Sequence, residues 1–153
     1  MNKENNENNR VIIRNKKAFH DYYVEETVEC GIVLKGNEVK SIRNGSISIK
    51  ESWVSAERGG LVLKRCNITP YKKSNAFDVD STRDRALLLH KHEIKTLSEK
   101  AQQQGYTIVP IDVRIVNGKL KIVIGLCKGK HRYDKRRCEK EKEVKKEMKR
   151  AVI

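Results

Sequence analysis

Three aspartates share one stretch of the chain, and clustered carboxylates are what a metal-dependent nuclease would use. Asp78, Asp80 and Asp84 lie within residues 70–86, where they could hold Mg²⁺ for phosphodiester hydrolysis. The stretch has turn-forming residues and no periodicity, so we predict a long mobile loop. Basic residues are interspersed among the acidic ones, which is typical of solvated surface charge and makes the nuclease the less favoured alternative. These basic neighbours are Lys72, Lys73, Arg83 and Arg85.

The other residues that could do chemistry are poorly spaced for it. None of the four cysteines belongs to a C-x-x-C pair, and His90 and His92 would lie on different faces of a helix. Neither a G-x-x-x-x-G-K-[ST] loop nor a G-x-S-x-G turn occurs. We therefore predict no catalytic residue, no metal and no cofactor. Cys30, Cys66 and Cys127 are interpreted as small apolar strand residues, and the compartment as reducing and cytoplasmic.

Charge is the strongest chemical signal in the sequence. The chain carries 34 Lys/Arg against 20 Asp/Glu, a formal net charge of +14, and residues 128–153 supply half of it with one aromatic residue, Tyr133. Such a balance indicates a polyanionic partner, either nucleic acid or an acidic membrane surface. No apolar run has the length of a membrane span, and no signal peptide is visible. Tyr22, Tyr23 and Trp53 could stack on bases, but we predict that they pack in the core.

The first half of the chain predicts a strand followed by a short helix. Loose alternation rich in Val, Tyr and Thr predicts a strand over about residues 22–34, with a bulge or bend at Gly31. Gly36 and Gly45 then bracket a short helix, for which Asn37 is the predicted N-cap.

Two hairpins and a second helix complete the pattern. One hairpin is predicted over residues 46–69 and the other over 106–127, where Asn117-Gly118 is a strong type I′ turn signal. Pro110 predicts an edge or bulge in the second hairpin. Apolar residues at helical spacing predict a helix over residues 90–105.

Short antiparallel strands interrupted by a helix predict a fold that is mostly β with flanking helices, a small OB-like antiparallel barrel. Residues 1–14 are polar and Asn-rich and are interpreted as a disordered leader. The barrel domain is predicted over residues 15–130, and residues 131–153 form a disordered basic tail. Composition and pattern alone favour a basic OB-type RNA binder, such as a ribosomal protein or translation factor.

Several segments, in order, resemble one known family. The sequence over about residues 15–137 is similar to the SsrA-binding proteins, the small protein B family of bacterial trans-translation. The most specific segments are "GIVLKGNEVKSIRNG" and "KGKHRYDKR", and "NITPY" and "STRDRALLLHKHEI" lie between them.

The resemblance implies an OB-like barrel that binds the tRNA-like domain of transfer-messenger RNA. The complex, carried by elongation factor Tu, would enter the A site of a stalled ribosome, where translation switches to the RNA's own reading frame and adds a degradation tag. The resemblance thus implies a binding factor rather than an enzyme, acting in the cytoplasm, and we expect a monomer.

The resemblance also implies which residues contact RNA. Glu29, Leu88 and Lys121 match family positions associated with transfer-messenger RNA binding. Without the resemblance, Glu29 would be interpreted as an exposed strand residue and Leu88 as core. The other predicted RNA-binding residues are Lys35, Lys40 and Arg43 around the short helix and Lys128 and Lys130 at the exit from the barrel.

The tail is expected to enter the decoding centre. Tyr133 stands where the family has an aromatic residue or histidine, and it is expected to stack on a base there. Asp134, Lys135 and Arg136 match the motif that follows. The tail is predicted to be unfolded when free and helical in the mRNA channel, because its apolar stripe is narrow and an isolated helix of this length is marginal. The alternative is a permanently solvated basic tail.

Overall fold

The computed structural model describes residues 9–69 and 81–130, together with Arg136, Glu139 and Lys140. These parts of the chain contain nine β-strands and three helices. The strands are β1 (Arg10–Arg14), β2 (Tyr22–Ile32), β3 (Ile47–Ser48), β4 (Trp53–Glu57), β5 (Gly60–Lys64), β6 (Asn67–Ile68), β7 (Arg85–Leu88), β8 (Tyr106–Val116) and β9 (Lys119–Gly129). The helices are α1 (Lys16–Asp21), α2 (Gly36–Arg43) and α3 (Lys91–Ala101).

Six strands form an antiparallel ring in the order β8-β4-β5-β7-β2-β9, with β9 pairing back to β8. The closure is uneven. Strands β8 and β9 pair along their whole length, whereas β4 meets β8 at the single pair Val54–Ile108. Strand β1 pairs with β8, and β3 and β6 form a separate two-stranded sheet. The prediction of a mostly β, antiparallel fold with flanking helices is confirmed, although the ring is not a strict barrel.

The long β8–β9 hairpin is buried on its inner face and on part of its outer face. Ile108, Ile122 and Ile124 face the interior of the ring and belong to the main core. Val109 and Val123 lie on the outer face, in a second cluster with Ala18 of α1. Burial on both sides there explains why residues 108–111 of β8 and 122–127 of β9 are continuously apolar rather than alternating.

A β-bulge joins the hairpin to α1. The β8–β9 register shifts between Pro110 and Asp112, so the bulge predicted from Pro110 is confirmed. The buried Asn15 carboxamide donates to the carbonyls of Pro110 (2.9 Å) and Ile49 (3.2 Å). Its Oδ1 accepts from the backbone N–H of Ala18, which caps α1.

The second predicted hairpin is confirmed, as is the centre of the first. Asn117 and Gly118 both have positive φ, as a type I′ turn requires. In the first hairpin, β4 pairs with β5, while the outer parts of the predicted strands separate into β3 and β6. The helix predicted over residues 90–105 is α3, and its N-cap is His90.

The disordered leader predicted over residues 1–14 is wrong for its last five residues. Arg10–Arg14 form β1, which occupies an edge of β8. Residues 11–13 are three consecutive apolar residues, and Ile12 and Ile13 pack against the main core. Residues 1–8 lie outside the described part of the chain.

Two local predictions around β2 and α2 are also wrong. The register shift in β2 lies between Val24 and Glu26 rather than at Gly31, where pairing with β9 continues. The N-cap of α2 is Lys35 and not Asn37, because the Glu38 carboxylate accepts a hydrogen bond from the Lys35 N–H at 2.9 Å. Glu38 is fixed by a tertiary partner, which sets where the helix begins.

That partner is Arg85, which was predicted to be a solvated loop residue and is instead fully buried (0% exposed) in β7. Its Nε donates to Glu38 Oε2 at 2.7 Å, and Glu38 itself is only 3% exposed. Arg85 also donates to the carbonyls of Cys66 (2.7 Å), Arg83 (3.0 Å) and Ser81 (3.1 Å). The Arg83 guanidinium binds the second Glu38 oxygen. Residues 70–80 of the predicted loop lie outside the described part of the chain.

We expect Arg85→Met to lower the free energy of unfolding by about 3–5 kcal/mol, because it removes one of the charged donors of the buried Glu38 carboxylate and the side-chain donor of the Cys66 and Arg83 carbonyls. Urea unfolding measures this loss. Lys95→Met, at an exposed position of α3, should change stability by less than about 0.5 kcal/mol. The double variant Glu38→Met/Arg85→Met should recover part of the loss, and a fully additive double variant would contradict the assignment.

The same carboxylate gives stability a pH dependence. Burial by itself would raise the pKa of Glu38, but hydrogen bonds from Arg83, the Lys35 N–H and Arg85 hold it below its usual range. Because the pKa of Glu38 is lower in the folded state, its ionised form stabilises the fold at pH values above the unfolded pKa of about 4.3. This stabilisation is lost as the pH falls from there through the folded-state pKa. Glu38→Gln should therefore flatten the acid limb of the stability curve, whereas Glu99→Gln, at an exposed position, should leave it unchanged.

Candidate RNA interface

The structure brings Glu29, Leu88 and Lys121 together. All three line one shallow concavity on the outside of the ring, where β9, β2 and β7 meet the start of α3. The other lining residues are Cys30, Gly31, Leu87, Leu89, His90 and Glu93.

Strand register places the centre of this concavity. Lys121 pairs with Gly31, and Gly31 pairs on its other side with Leu88, so the three form one row across β9, β2 and β7. Leu88 is 60% exposed, although a leucine in a short apolar segment would usually be buried. A Cβ on Gly31 would come within 3.3 Å of Leu88 side-chain atoms, so the glycine gives Leu88 its place over the sheet.

The three basic residues predicted around α2 do not line the concavity. Lys35 caps the helix, and Lys40 and Arg43 are exposed on it. Arg43 reaches the β8–β9 turn, where its Nη2 donates to the Gly118 carbonyl at 3.0 Å. Together, Lys35, Lys40 and Arg43 give the end of the ring beside α2 a basic rim.

Lys128 and Lys130 lie where β9 leaves the ring, and both are associated with aromatic rings. The Lys128 ammonium lies 5.9 Å from the Tyr106 ring centroid, and that of Lys130 lies 4.9 Å from the Tyr23 centroid. Lys130 Nζ also donates to the carbonyl of Phe19 at 3.0 Å. The chain immediately after β9 is therefore held against the end of α1.

The tail is only partly described. Tyr133, Asp134 and Lys135 lie outside the described residues, and Arg136, which is described, is exposed with helical backbone. Glu139 Oε1 lies 2.9 Å from Nε2 of His20, and Asp21 Oδ1 lies 2.9 Å from Nδ1. Hydrogen bonds with Asp21 and then Glu139 raise the pKa of His20.

Two aromatic residues predicted to pack in the core are at the surface. Tyr23 is 46% exposed and Trp53 is 39% exposed, whereas Tyr22 is half-buried against the second cluster. The Arg65 guanidinium lies 5.4 Å from the Trp53 ring centroid. Alternation of polar and apolar residues along a strand does not show which face of the sheet α1 covers and which face stays exposed.

The described residues contain no cluster of metal-binding side chains. No three His, Cys, Asp or Glu side chains in that part of the chain are close enough to hold a metal ion. Asp84 pairs with Lys64 at 2.7 Å, while Asp78 and Asp80 lie outside the described residues. Burial raises the pKa of Cys30 to about 12 and those of Cys66 and Cys127 to about 11, so these thiols stay protonated.

None of the described helices is both long and apolar enough to span a membrane.

Comparison with known proteins gives one consistent result. The family model described as "SmpB protein" matches residues 12–153. The SsrA-binding protein of Caldicellulosiruptor bescii is 47% identical over 154 residues, which are 97% of this chain and 98% of the relative. That of Geobacillus thermodenitrificans is 47% identical over 142 residues, which are 93% and 92% of the two chains.

A solved structure agrees. A chain from the structure described as "tmRNA-SmpB: a journey to the center of the bacterial ribosome" is 44% identical and superimposes with a TM-score of 0.67. The match covers 86% of this chain and 93% of that one. On these matches, which extend over nearly the whole of both partners, the chain belongs to the SmpB family of SsrA-binding proteins.

Proposed function

We propose that this protein is the RNA-binding factor of trans-translation. It binds the tRNA-like domain of transfer-messenger RNA and brings that RNA to the A site of stalled ribosomes for rescue and peptide tagging. Family membership over nearly the whole chain supports this role. The observation that carries it in the structure is the shared concavity of Glu29, Leu88 and Lys121.

The three side chains offer complementary chemistry to a folded RNA. Lys121 supplies charge for a phosphate, and the exposed Leu88 supplies an apolar surface for a base or ribose. Glu29 can accept a hydrogen bond from a base amino group or a 2′-hydroxyl, which gives selectivity that charge alone lacks. Lys35, Lys40 and Arg43 would add phosphate contacts along the rim at α2, and Lys128 and Lys130 would do so at the exit.

The tail would act separately, in the decoding centre and the mRNA channel. Tyr133 would stack on a base, Asp134, Lys135 and Arg136 would fix the segment around it, and the residues beyond would become helical in the channel. Ordering on binding suits a segment with high charge and few apolar residues. The helical backbone at Arg136, Glu139 and Lys140 gives that helix a starting point.

The role also sets the partners. The protein would act as a monomer on cytoplasmic ribosomes, delivered with elongation factor Tu, without catalysis and without a cofactor. A general basic RNA binder would not distinguish transfer-messenger RNA from an ordinary tRNA. A gel shift comparing the two RNAs tests this difference, and equal affinity would contradict the proposal.

Leu88→Ala should weaken binding of transfer-messenger RNA by about 1–2 kcal/mol, roughly tenfold, because it removes the apolar surface of the concavity. Thermal unfolding should change little, since the side chain is mostly exposed. Phe19→Ala, which removes an exposed apolar side chain of α1 outside the concavity, is the matched control and should bind as the wild type does.

Deleting residues 131–153 should leave the affinity for transfer-messenger RNA largely intact and abolish tagging on stalled ribosomes in a reconstituted translation assay. Tyr133→Ala should reduce tagging, and Tyr133→Phe should retain it because the ring still stacks. Loss of RNA affinity in the truncated protein would refute the division of labour between barrel and tail.

A further inference from the structure

The concavity at Leu88 is one end of a longer surface on the outside of the sheet. The row that contains Leu88, Gly31 and Lys121 continues to Arg114 in β8 and to Val11 in β1. Because neighbouring strands lie about 4.8 Å apart, this row across five strands is about 19 Å long, measured perpendicular to the strands.

A second row lies directly beside the first. Glu29 pairs with Val123, Val123 with Asp112, and Asp112 with Arg14 of β1. Residues that are paired, or two apart in one strand, share a face of the sheet. Arg14 and Arg114 therefore lie on the same face as Glu29, Lys121 and Leu88.

Arg114 is held in place more firmly than an ordinary surface arginine. Its Nε donates to Asp112 Oδ1 at 2.8 Å and its Nη2 to Asp112 Oδ2 at 2.5 Å, and Asp112 is buried. The pair uses two of the five guanidinium N–H groups and leaves three. The hydrogen bonds to Asp112 raise the pKa of Arg114, and the negative charge of Glu29 acts in the same direction.

Charge alone does not explain this arrangement. If the row only attracted RNA, a buried aspartate beside Arg114 would be a disadvantage, because it cancels the arginine's charge. A guanidinium fixed by a carboxylate loses less side-chain freedom when it binds a phosphate, and its planar fork fits phosphate geometry.

We infer that the RNA surface extends from Leu88 across β9 to β8 and β1, with Arg114 as a phosphate-binding residue, Asp112 as its positioning residue and Arg14 as a further phosphate contact. This inference rests on the proposed function and adds residues that lie outside the concavity. The ligand is the sugar-phosphate backbone of the RNA domain that Leu88 contacts.

The test measures binding of the in vitro transcribed tRNA-like domain over a series of KCl concentrations. Arg114→Gln should weaken binding about tenfold and reduce the slope of log K against log salt by about 0.7–0.9, the value for one lost phosphate contact. Arg114→Lys should keep the slope but lose affinity, because it keeps the charge and loses the fork. Lys50→Gln, in the separate concavity between α1 and β4, should change neither.

Asp112→Asn separates positioning from charge. If Asp112 positions Arg114, the variant should bind RNA more weakly although a negative charge has been removed. Tighter binding by Asp112→Asn, or an unchanged salt slope in Arg114→Gln, would overturn the inference. Because Asp112 is buried, thermal unfolding must show that the variant is folded, and Arg14→Gln gives a second test at an exposed residue, again with a reduced slope expected. Failure of the wild-type chain to bind would instead refute the proposed function.

Discussion

The buried pair of Arg85 and Glu38 is the interaction on which the rest of the ring depends. Strand β7 is short. It pairs with β2 at Gly31–Leu88 and Ile32–Leu87, with one further hydrogen bond from the Val33 N–H to the Ala86 carbonyl, so backbone pairing alone closes this side of the ring weakly. The Arg85 guanidinium supplies what the ladder lacks, since it joins β7 to α2 and to the carbonyl of Cys66 after β5. The Arg85 charge can be buried this deeply only because Nε, Nη1 and Nη2 of its guanidinium all have hydrogen-bond partners. Leu88 follows three residues later, so the network that closes the ring also fixes a residue of the proposed RNA surface.

A second constraint comes from the long β8–β9 hairpin. Its inner face fills the ring, and part of its outer face is covered by α1. The remainder of that outer face is open, and there the apolar residues give way to Arg114 and Lys121. The centre of the proposed RNA surface, at Arg114 and Lys121, thus lies on the most extensively paired part of the sheet, which suits recognition of a folded RNA because the side chains need little reordering.

In the proposed function the ring and the tail have different tasks, because their physical properties differ. In the proposed role the outer face of the ring would supply selectivity, with a carboxylate, an apolar side chain and cations placed by strand register. The tail is proposed to act through its charge, because its sequence has many basic and few apolar residues. The contact of Glu139 with His20 and the hydrogen bond of Lys130 to the Phe19 carbonyl join the start of the tail to the end of α1. The tail therefore leaves the barrel from a defined point, on the side where β9 ends.

The features that depend on neighbouring residues can be predicted from the sequence: the type I′ turn at Asn117-Gly118, the helix at Lys91–Ala101, the bulge after Pro110 and the segments that mark the family. The resemblance also picked out Glu29, Leu88 and Lys121, which local patterns would have left as surface or core. Which charges are buried depends on the three-dimensional fold, because Arg85 and Glu38 are 47 residues apart and neither has a local signal of burial. The fold also decides that Tyr23 and Trp53 are exposed, that Arg10–Arg14 form a strand, and that Arg114 lies in the row of Leu88. Each of these follows from strand pairing between distant segments, and pairing is set by the packing of the whole ring rather than by any one stretch of the chain.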